Sequence, residues 1–557
     1  MKQLIECVPN FSEGRDLNII KQITDAITTV DGVKLLNVDP GKATNRTVVT
    51  FVGEPTAVVE AAFRGIHKAG ELIDMSKHSG EHPRMGATDV CPFIPISGIC
   101  MEETAKYAQQ LAKRVGEELH IPVYLYEAAQ SNKNRNNLSI IRAGEYEGFF
   151  KKITLPEWKP DFGPAEMDAK RGATVIGARD FLVAYNINLN TTSTRRANAI
   201  AFDVREAGRT QKDAKGNAVK DANGNPIVIP GKLKSVKAIG WFIEEYGVAQ
   251  ISMNLTNISV TPVHIAFDEV CKSAESRGIR VTGSELVGLI PLNALLDAGK
   301  YFLKKQQRSI GVSEKELIKI AVKSLGLDEL APFKPEERII EYLLRENDGN
   351  RLVSMSLTEF ADETASESPA PGGGSISAYM GAMGVALATM VANLSSHKRG
   401  WDDRWEEFSA HAENGQRIQQ EFIRLVDEDT DAFNQIMNAF GLPKTTEEEK
   451  SARTAAIQEA TKNAMLVPYR VIEQAHQAMP LAKLMAKIGN PNSVSDAGVG
   501  ALALRSAAIG AFLNVKINAG GLNDEEFKNT LLSKANQLVE EVKAMESEVL
   551  TIVAGKI

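Results

Sequence analysis

The reactive residue types of this chain concentrate in one run, residues 78–95, H-S-G-E-H-P-R-M-G-A-T-D-V-C-P-F-I-P. It holds two of the chain's eight histidines, the acids Glu81 and Asp89, and Arg84. Glycine and proline at that density forbid a regular helix, so the run reads as a shaped loop leading into an apolar strand over 90–94. Titratable groups on such a loop are placed for chemistry when a rigid scaffold carries it. His78-Ser79-Gly80-Glu81-His82 also fits the H-x-x-E-H zinc pattern. That pattern needs both histidines on one helix face. Gly80 weakens a helix there, and Pro83 drives His82 toward extended backbone. No metal is therefore expected, and the run is left as a cluster of titratable groups placed for chemistry or a turn with solvated charges.

Three further stretches carry chemical potential. Residues 161–177 (D-F-G-P-A-E-M-D-A-K-R-G-A-T-V-I-G) form an irregular run whose glycines would let backbone approach a ligand, or a plain connection between domains. Residues 370–375 (A-P-G-G-G-S) precede an uncharged helix. Free N–H groups at a helix start form an anion site, and a glycine run there also serves as a flexible entry. It lacks the lysine and spacing of a P-loop, so ATP is not expected. Residues 427–431 (D-E-D-T-D) set four carboxylates around one helix turn. They form a solvated face unless one points inward, where it must be paired or catalytic.

The elements that position these runs follow from periodicity. Strands over 4–8, 33–38, 47–52 and 90–94, with helices over 17–27 and 56–75, make a β-α-β-β-α-β order, and residues 39–41 read as a turn. A helix over 101–119 and a strand over 122–126 add to it. The same order repeats over 181–282, with a hairpin insertion at 211–232, and helices over 294–305, 314–325 and 335–344 close that half. After a polar, turn-rich boundary the strand signal largely vanishes and long helical patterns follow. The expected fold is an α+β N-terminal half of two ferredoxin-like α/β subdomains, 1–180 and 181–345, then a linker at 346–355 and an all-α helical-bundle domain, 356–557. The chain has 557 residues, 24% charged, with net charge −7. That balance argues against a general nucleic-acid binder. Four cysteines without C-x-x-C spacing fit a reducing cytoplasm. The N-terminus reads as a strand rather than a leader, and no run is expected to be long and apolar enough to cross a bilayer.

E-C-V-P-N-F-S-E-G, the G-E-H-P-R-M-G-A-x-D-V-C-P-F-I-P loop, P-D-F-G-P and F-x-x-A-x-N-I-N-L resemble the formimidoyltransferase domain. A-P-G-G-G-S, L-V-D-x-D-x-x-A-F, L-P-K-x-T-x-E-E-K and L-N-V-x-I-N resemble the cyclodeaminase domain, in the order of the bifunctional formimidoyltransferase-cyclodeaminase family. The resemblance implies transfer of a formimidoyl group from N-formimidoyl-L-glutamate to N5 of tetrahydrofolate, then ring closure to 5,10-methenyltetrahydrofolate with loss of ammonia, as part of histidine degradation and one-carbon metabolism. It implies His82 as the transfer base and Asp429 as the cyclodeaminase carboxylate. Gly163, Pro164 and Gly172 match the folate-contacting stretch. Asp39 would orient the imidazole or touch the pterin, and Arg84 would clamp a substrate carboxylate. Asp427 and Asp431 would raise the pKa of Asp429 only weakly unless the site is dry. Lys232, Lys234 and Lys237 would hold a polyglutamate tail or form a solvated surface. The resemblance further implies no bound cofactor, tetrahydrofolate (polyglutamated) as co-substrate, no nucleic-acid or membrane partner, and a homo-oligomer of dimers in a larger ring. The alternatives are a chain that keeps one of the two activities and a non-catalytic folate-binding scaffold.

Overall fold

The computed structural model describes residues 3–42, 44–80, 83–344 and 351–557. Glu81 and His82 of the loop, and 346–350 of the expected linker, lie outside the described residues. The chain forms two compact units, one of residues 1–295 with 325–344 and one of 296–324 with 345–557. Residues 296–324, read from sequence as part of the second α/β subdomain, thus belong to the compact unit of the C-terminal helices.

In the first unit, β1 (Leu4–Cys7) and β2 (Asn10–Phe11) are two parts of one interrupted strand. Pro9, which has no N–H to give a ladder, falls in the break. Then come α1 (Leu17–Thr28), β3 (Val33–Gly41), β4 (Arg46–Gly53), α2 (Pro55–Leu72) and β5 (Thr88–Ser97). Asp16 starts α1 by accepting the N–H groups of Asn18 and Ile19. β1 lies antiparallel between β4 and β5, and β3 flanks β4, which is the expected split β-α-β order. Two readings change. β3 continues through Asp39, Pro40 and Gly41, which pair with β4 instead of forming a turn. After α3 (Met101–Glu118), β6 (Val123–Glu127), α4 (Leu138–Arg142) and α5 (Glu145–Lys152), the irregular 161–177 run ends in a strand, β7 (Thr174–Ala178). β7 inserts in parallel between β5 and β6, completing a seven-stranded sheet.

The alternation along this sheet sets up a site. Ile5, Cys7, Val49, Phe51, Cys91 and Phe93 are fully buried in a core shared with α1, α2 and α3. Each such side chain contributes roughly 1.5–3 kcal/mol when it is large. Glu6, Val8, Asn10, Val48, Thr50 and Pro92 project from the opposite face. A one-residue slip would exchange the two sets, so the core fixes which side chains face the other way.

The second sheet has four strands, β8 (Val183–Leu189), β11 (Val236–Ile243), β12 (Val248–Leu255) and β13 (Val281–Val287), with α6 (Thr194–Val204), a separate two-stranded hairpin of β9 (Arg209–Thr210) and β10 (Val228–Ile229), and α7 (Val263–Glu275) in the connections. Its order, β11-β12-β8-β13, is fully antiparallel and again ferredoxin-like. The insertion is a hairpin, as its repeated D-A-x-G-N turns imply. Asp213 accepts from the N–H of Lys215 and Asn217, and Asp221 from those of Asn223 and Asn225, at 2.8–2.9 Å.

α8 (Leu292–Lys305) and α9 (Glu314–Leu325) follow, then the short α10 (Pro335–Arg338) and α11 (Ile340–Leu344). α10 and α11 belong to the first unit, and the rest of the second unit is α12 (Leu357–Thr364), α13 (Gly373–Ser396), α14 (Trp405–Phe440), α15 (Glu447–Ile488), α16 (Val494–Ala519) and α17 (Glu525–Ala554). Small residues let these helices approach closely. A Cβ on Gly381 of α13 would fall 2.3 Å from the Phe422 ring of α14. The expectation that no stretch could cross a bilayer is corrected. Gly373–Ser396 and Pro491–Ala519 are long and apolar enough by length and composition. Their most apolar windows are 61% and 50% buried inside the protein. Alanine, glycine and methionine make them apolar both where neighbouring helices cover them and where they stay exposed.

Candidate active sites

A cavity of about 510 Å³ lies between the exposed faces of the two sheets of the first unit. The first sheet supplies Glu6, Val8, Asn10, Asn37, Asp39, Arg46, Thr50 and Pro92, and the second supplies Ala184, Lys237, Asn254 and Val287. Arg142 at the end of α4 and Arg179 after β7 complete a lining of four cations against two acids. Arg142 Nη2 donates to the fully buried Asp89 at 2.6 Å, and Asp89 also accepts the Met85 N–H at 3.1 Å. Arg46 is different. No hydrogen bond or ion pair holds its guanidinium among the described residues, and its buried Nε has no partner. Burial lowers its pKa to about 10 and Asp89 opposes that shift, so it stays cationic at neutral pH. A cation with free donors facing a cavity suits a carboxylate.

Glu6 is only 3% exposed and makes no hydrogen bond among the described residues. Burial pushes its carboxyl up to about 7, partly offset by Arg179. Asp39 lines the cavity from its strand position, where it pairs in register with Val48. Lys237 is the one member of the lysine trio in the lining; Lys232 and Lys234 pair with Glu269 and Glu206 on the surface.

The described part of the histidine loop is tightly tied. His78 Nε2 lies 2.9 Å from the Asn45 carbonyl, and Arg84 Nε donates to His78 Nδ1 at 3.3 Å. His78 is thus the Nε2–H tautomer, both nitrogens are engaged, and burial lowers its pKa. Its role is to anchor the loop. Asn45 holds the same loop through a 2.9 Å bond from Nδ2 to the Ser79 carbonyl. Arg84 is 8% exposed, and its two Nη groups bind Glu145 and Glu147 at 2.6–3.1 Å. The guanidinium read as a substrate clamp is therefore held by its own chain, while Arg46 and Arg142 face the cavity.

Gly163, Pro164 and Gly172 are not in the cavity lining. Gly172, at φ +71°, packs against Met85 and Gly86, where a Cβ would lie 2.4 Å from the Met85 oxygen. Gly163, at φ +83°, abuts the Ile121 carbonyl in the same way. Both glycines have a backbone reason that needs no ligand.

The second unit has a smaller cavity, about 120 Å³, which joins motifs far apart in sequence. Pro369, Ala370 and the three glycines of the run, Asp429, Thr430 and Phe433 of α14, and Asn514 and Asn518 of α16 line it. The two asparagines are those of L-N-V-x-I-N, four residues apart and so on one helix face. The Asp429 carboxyl sits at the start of α13. Ser375 Oγ donates to its Oδ2 at 3.2 Å, and the Ser375 N–H bonds it as well. The absence of a side chain on Gly374 makes room, since a Cβ there would be 2.1 Å from Asp429 Oδ1. Burial raises the Asp429 pKa against these two hydrogen bonds. Asp427 and Asp431 contribute nothing resolved to that shift. Asp427 instead accepts the N–H groups of Leu352 and Val353, Glu428 pairs with Arg424 and Arg470, and Asp431 is exposed. One of the four carboxylates thus points into a cavity.

These features give two candidate sites, one basic and one built on a half-buried carboxyl group, as in an enzyme with two active centres. Residues 4–179 match the family model described as formiminotransferase domain, N-terminal subdomain, residues 184–345 the formiminotransferase domain, and residues 356–537 formiminotransferase-cyclodeaminase. Formimidoyltransferase-cyclodeaminase of Mus musculus is 43% identical over 99% of this chain and 98% of its own. Glutamate formimidoyltransferase of Thermoplasma acidophilum is 45% identical over 54% of this chain and 92% of its own. The crystal structure of formiminotetrahydrofolate cyclodeaminase from Thermotoga maritima is 29% identical, covering 36% of this chain and 96% of that one, with a TM-score of 0.33. The chain belongs to the formimidoyltransferase-cyclodeaminase family.

Proposed function

We propose that the chain performs two consecutive reactions on one folate. In the first unit, N5 of tetrahydrofolate attacks the amidine carbon of N-formimidoyl-L-glutamate, and the glutamate amine leaves. N5 loses a proton and the departing nitrogen gains one, so a group titrating near neutrality serves both steps. His82 fills that role in our reading. Arg46 and Arg142 draw the substrate's carboxylates, and Lys237 draws the glutamyl end of the folate. In the second unit, N10 attacks the formimidoyl carbon of 5-formimidoyltetrahydrofolate and ammonia departs, leaving 5,10-methenyltetrahydrofolate. Asp429 takes the N10 proton and delivers one to the leaving nitrogen. Its raised pKa favours that exchange at neutral pH. The observation that carries this reading is the convergence of A-P-G-G-G-S, Asp429, Asn514 and Asn518 on one cavity, in a unit separate from the basic one.

His82→Ala should stop glutamate release and spare formation of the methenyl chromophore from supplied 5-formimidoyltetrahydrofolate. Asp429→Asn should do the reverse and let that intermediate accumulate. Loss of both activities in either variant, still folded, would refute the two-site division.

The chain's working form, in this reading, is a cytoplasmic homo-oligomer. The support is an apolar surface on the helical unit. Met383, Met390 and Leu394 of α13, and Val499, Leu502, Leu513 and Ile517 of α16, are exposed at helical spacing on two packed helices.

A further inference from the structure

The motif E-C-V-P-N opens the chain, and the reaction scheme above leaves its acid, Glu6, without a task. Its side chain is almost wholly buried, yet it faces the cavity and has no partner among the described residues. A buried carboxyl without a hydrogen bond is costly, so its retention in a ligand cavity calls for a ligand that donates. Its neighbours on the sheet face are Val8 and Pro92, and the Val8 N–H bonds the Pro92 carbonyl at 3.1 Å. The acid therefore sits at the edge of an apolar floor that suits a flat ring.

Glu6 also stands apart from the free cation. Its register partner on β4 is Val52, and Arg46 begins that strand. Six residues of strand separate the two, about 20 Å along the chain at ~3.3 Å per residue. A small amidine dicarboxylate has its amidine on the nitrogen beside its own α-carboxylate. It cannot hold its carboxylates at Arg46 and its amidine at Glu6.

We infer that Glu6 recognises the paired N–H donors, the 2-amino group and N3–H, on the pyrimidine edge of the tetrahydropterin. A carboxylate presents two oxygens to two parallel donors, the geometry of a bidentate charge-assisted pair. The ring lies over Val8 and Pro92, and Glu6 sets its in-plane orientation and hence the direction N5 faces. Glu6 is a positioning and specificity residue for the transfer step. The inference rests on the reading that this cavity takes tetrahydrofolate.

The test uses the full chain and follows glutamate release, which reports transfer whatever the second centre does. Glu6→Gln keeps the shape but replaces one acceptor oxygen with a donor. It should raise KM for tetrahydrofolate about tenfold to a hundredfold, the range for a charged hydrogen bond, and leave KM for formimidoylglutamate within about twofold. The 2-desamino-2-methyl analogue of tetrahydrofolate should lose about tenfold or more against the wild type and little further against Glu6→Gln. Glu6→Asp should recover part of the discrimination. Val8→Trp, which fills the floor, is the control on the cavity. If it leaves KM for tetrahydrofolate unchanged, the cavity reading falls. If it blocks binding while Glu6→Gln discriminates against the analogue as the wild type does, the Glu6 assignment alone falls. A KM rise confined to formimidoylglutamate would assign Glu6 to the amidine and overturn the inference.

Discussion

Replacing Glu6 with glutamine should stabilise the first unit increasingly as pH rises from 4.5 to about 7, and not below 4.5. The folded-state pKa of this carboxyl is about 7 against 4.5 for the ordinary group. The difference is 2.5 units, equivalent to about 3 kcal/mol at about 1.36 kcal/mol per unit. Between the two values the folded chain holds the proton and the unfolded chain has lost it, so stability falls as pH rises. The favourable contribution is complete below pH 4.5 and gone above pH 7. Desolvation is the main cause; Arg179 opposes it and Glu341 adds to it. Glutamine does not titrate, so between pH 4.5 and 8 the variant should gain up to about 3 kcal/mol on the wild type. Water in the cavity reduces that figure. Cys7 and Cys91 give a direct readout, because both are fully buried in this unit, with their sulfurs 3.5 Å apart. Pulsed thiol labelling along a urea series, with the labelled peptides mapped, reports opening of this unit apart from the helical one. Variant and wild type are compared at the same pH, which cancels the pH dependence of thiol reactivity. Parallel stability-versus-pH curves for the two proteins would refute the raised pKa of Glu6 in the unliganded cavity.

Gly374→Ala should abolish cyclisation and leave glutamate release intact, because the new methyl group would strike the Asp429 carboxyl at 2.1 Å. Recovery of the methenyl absorbance signal in that variant would contradict the placement of Asp429. Arg46→Met should raise KM for formimidoylglutamate at least tenfold without lowering the melting temperature, since the cation it removes is half-buried and makes no hydrogen bond or ion pair among the described residues. Asp89→Ala should destabilise the first unit by about 3–5 kcal/mol, because it strands the Arg142 guanidinium in the protein; a denaturant titration measures this. His78→Phe should slacken the loop and depress kcat for transfer while cyclisation is unchanged, as read from the two product assays on one preparation.

The sequence by itself determined the local elements and the chemical vocabulary. Period-two alternation in β1, β4 and β8, and helical spacing in α1 and α14, depend on neighbours a few residues apart, so a single chain displays them. The two ferredoxin-like orders and the change to helices after residue 355 follow from such patterns, while Asp429 is singled out among four carboxylates only by the resemblance of L-V-D-x-D-x-x-A-F to the cyclodeaminase domain. β7 was hidden because it is a five-residue strand in a run rich in glycine, and its two parallel neighbours come from distant segments. Tertiary structure alone decided which charges meet. Arg84 looked free on the page, but Glu145 and Glu147, more than sixty residues away, satisfy it. Arg46 drew no attention and proves to be a half-buried cation whose buried Nε has no hydrogen-bond partner among the described residues. Gly163 and Gly172 serve backbone packing that only close-packed segments reveal. Glu6 shows the reason most clearly. Alternation places it opposite Cys7, but its burial comes from a second sheet more than 170 residues further along the chain. Desolvation belongs to the assembled cavity, so the proton affinity of that carboxyl is a property of the fold and cannot be read from its neighbours in sequence.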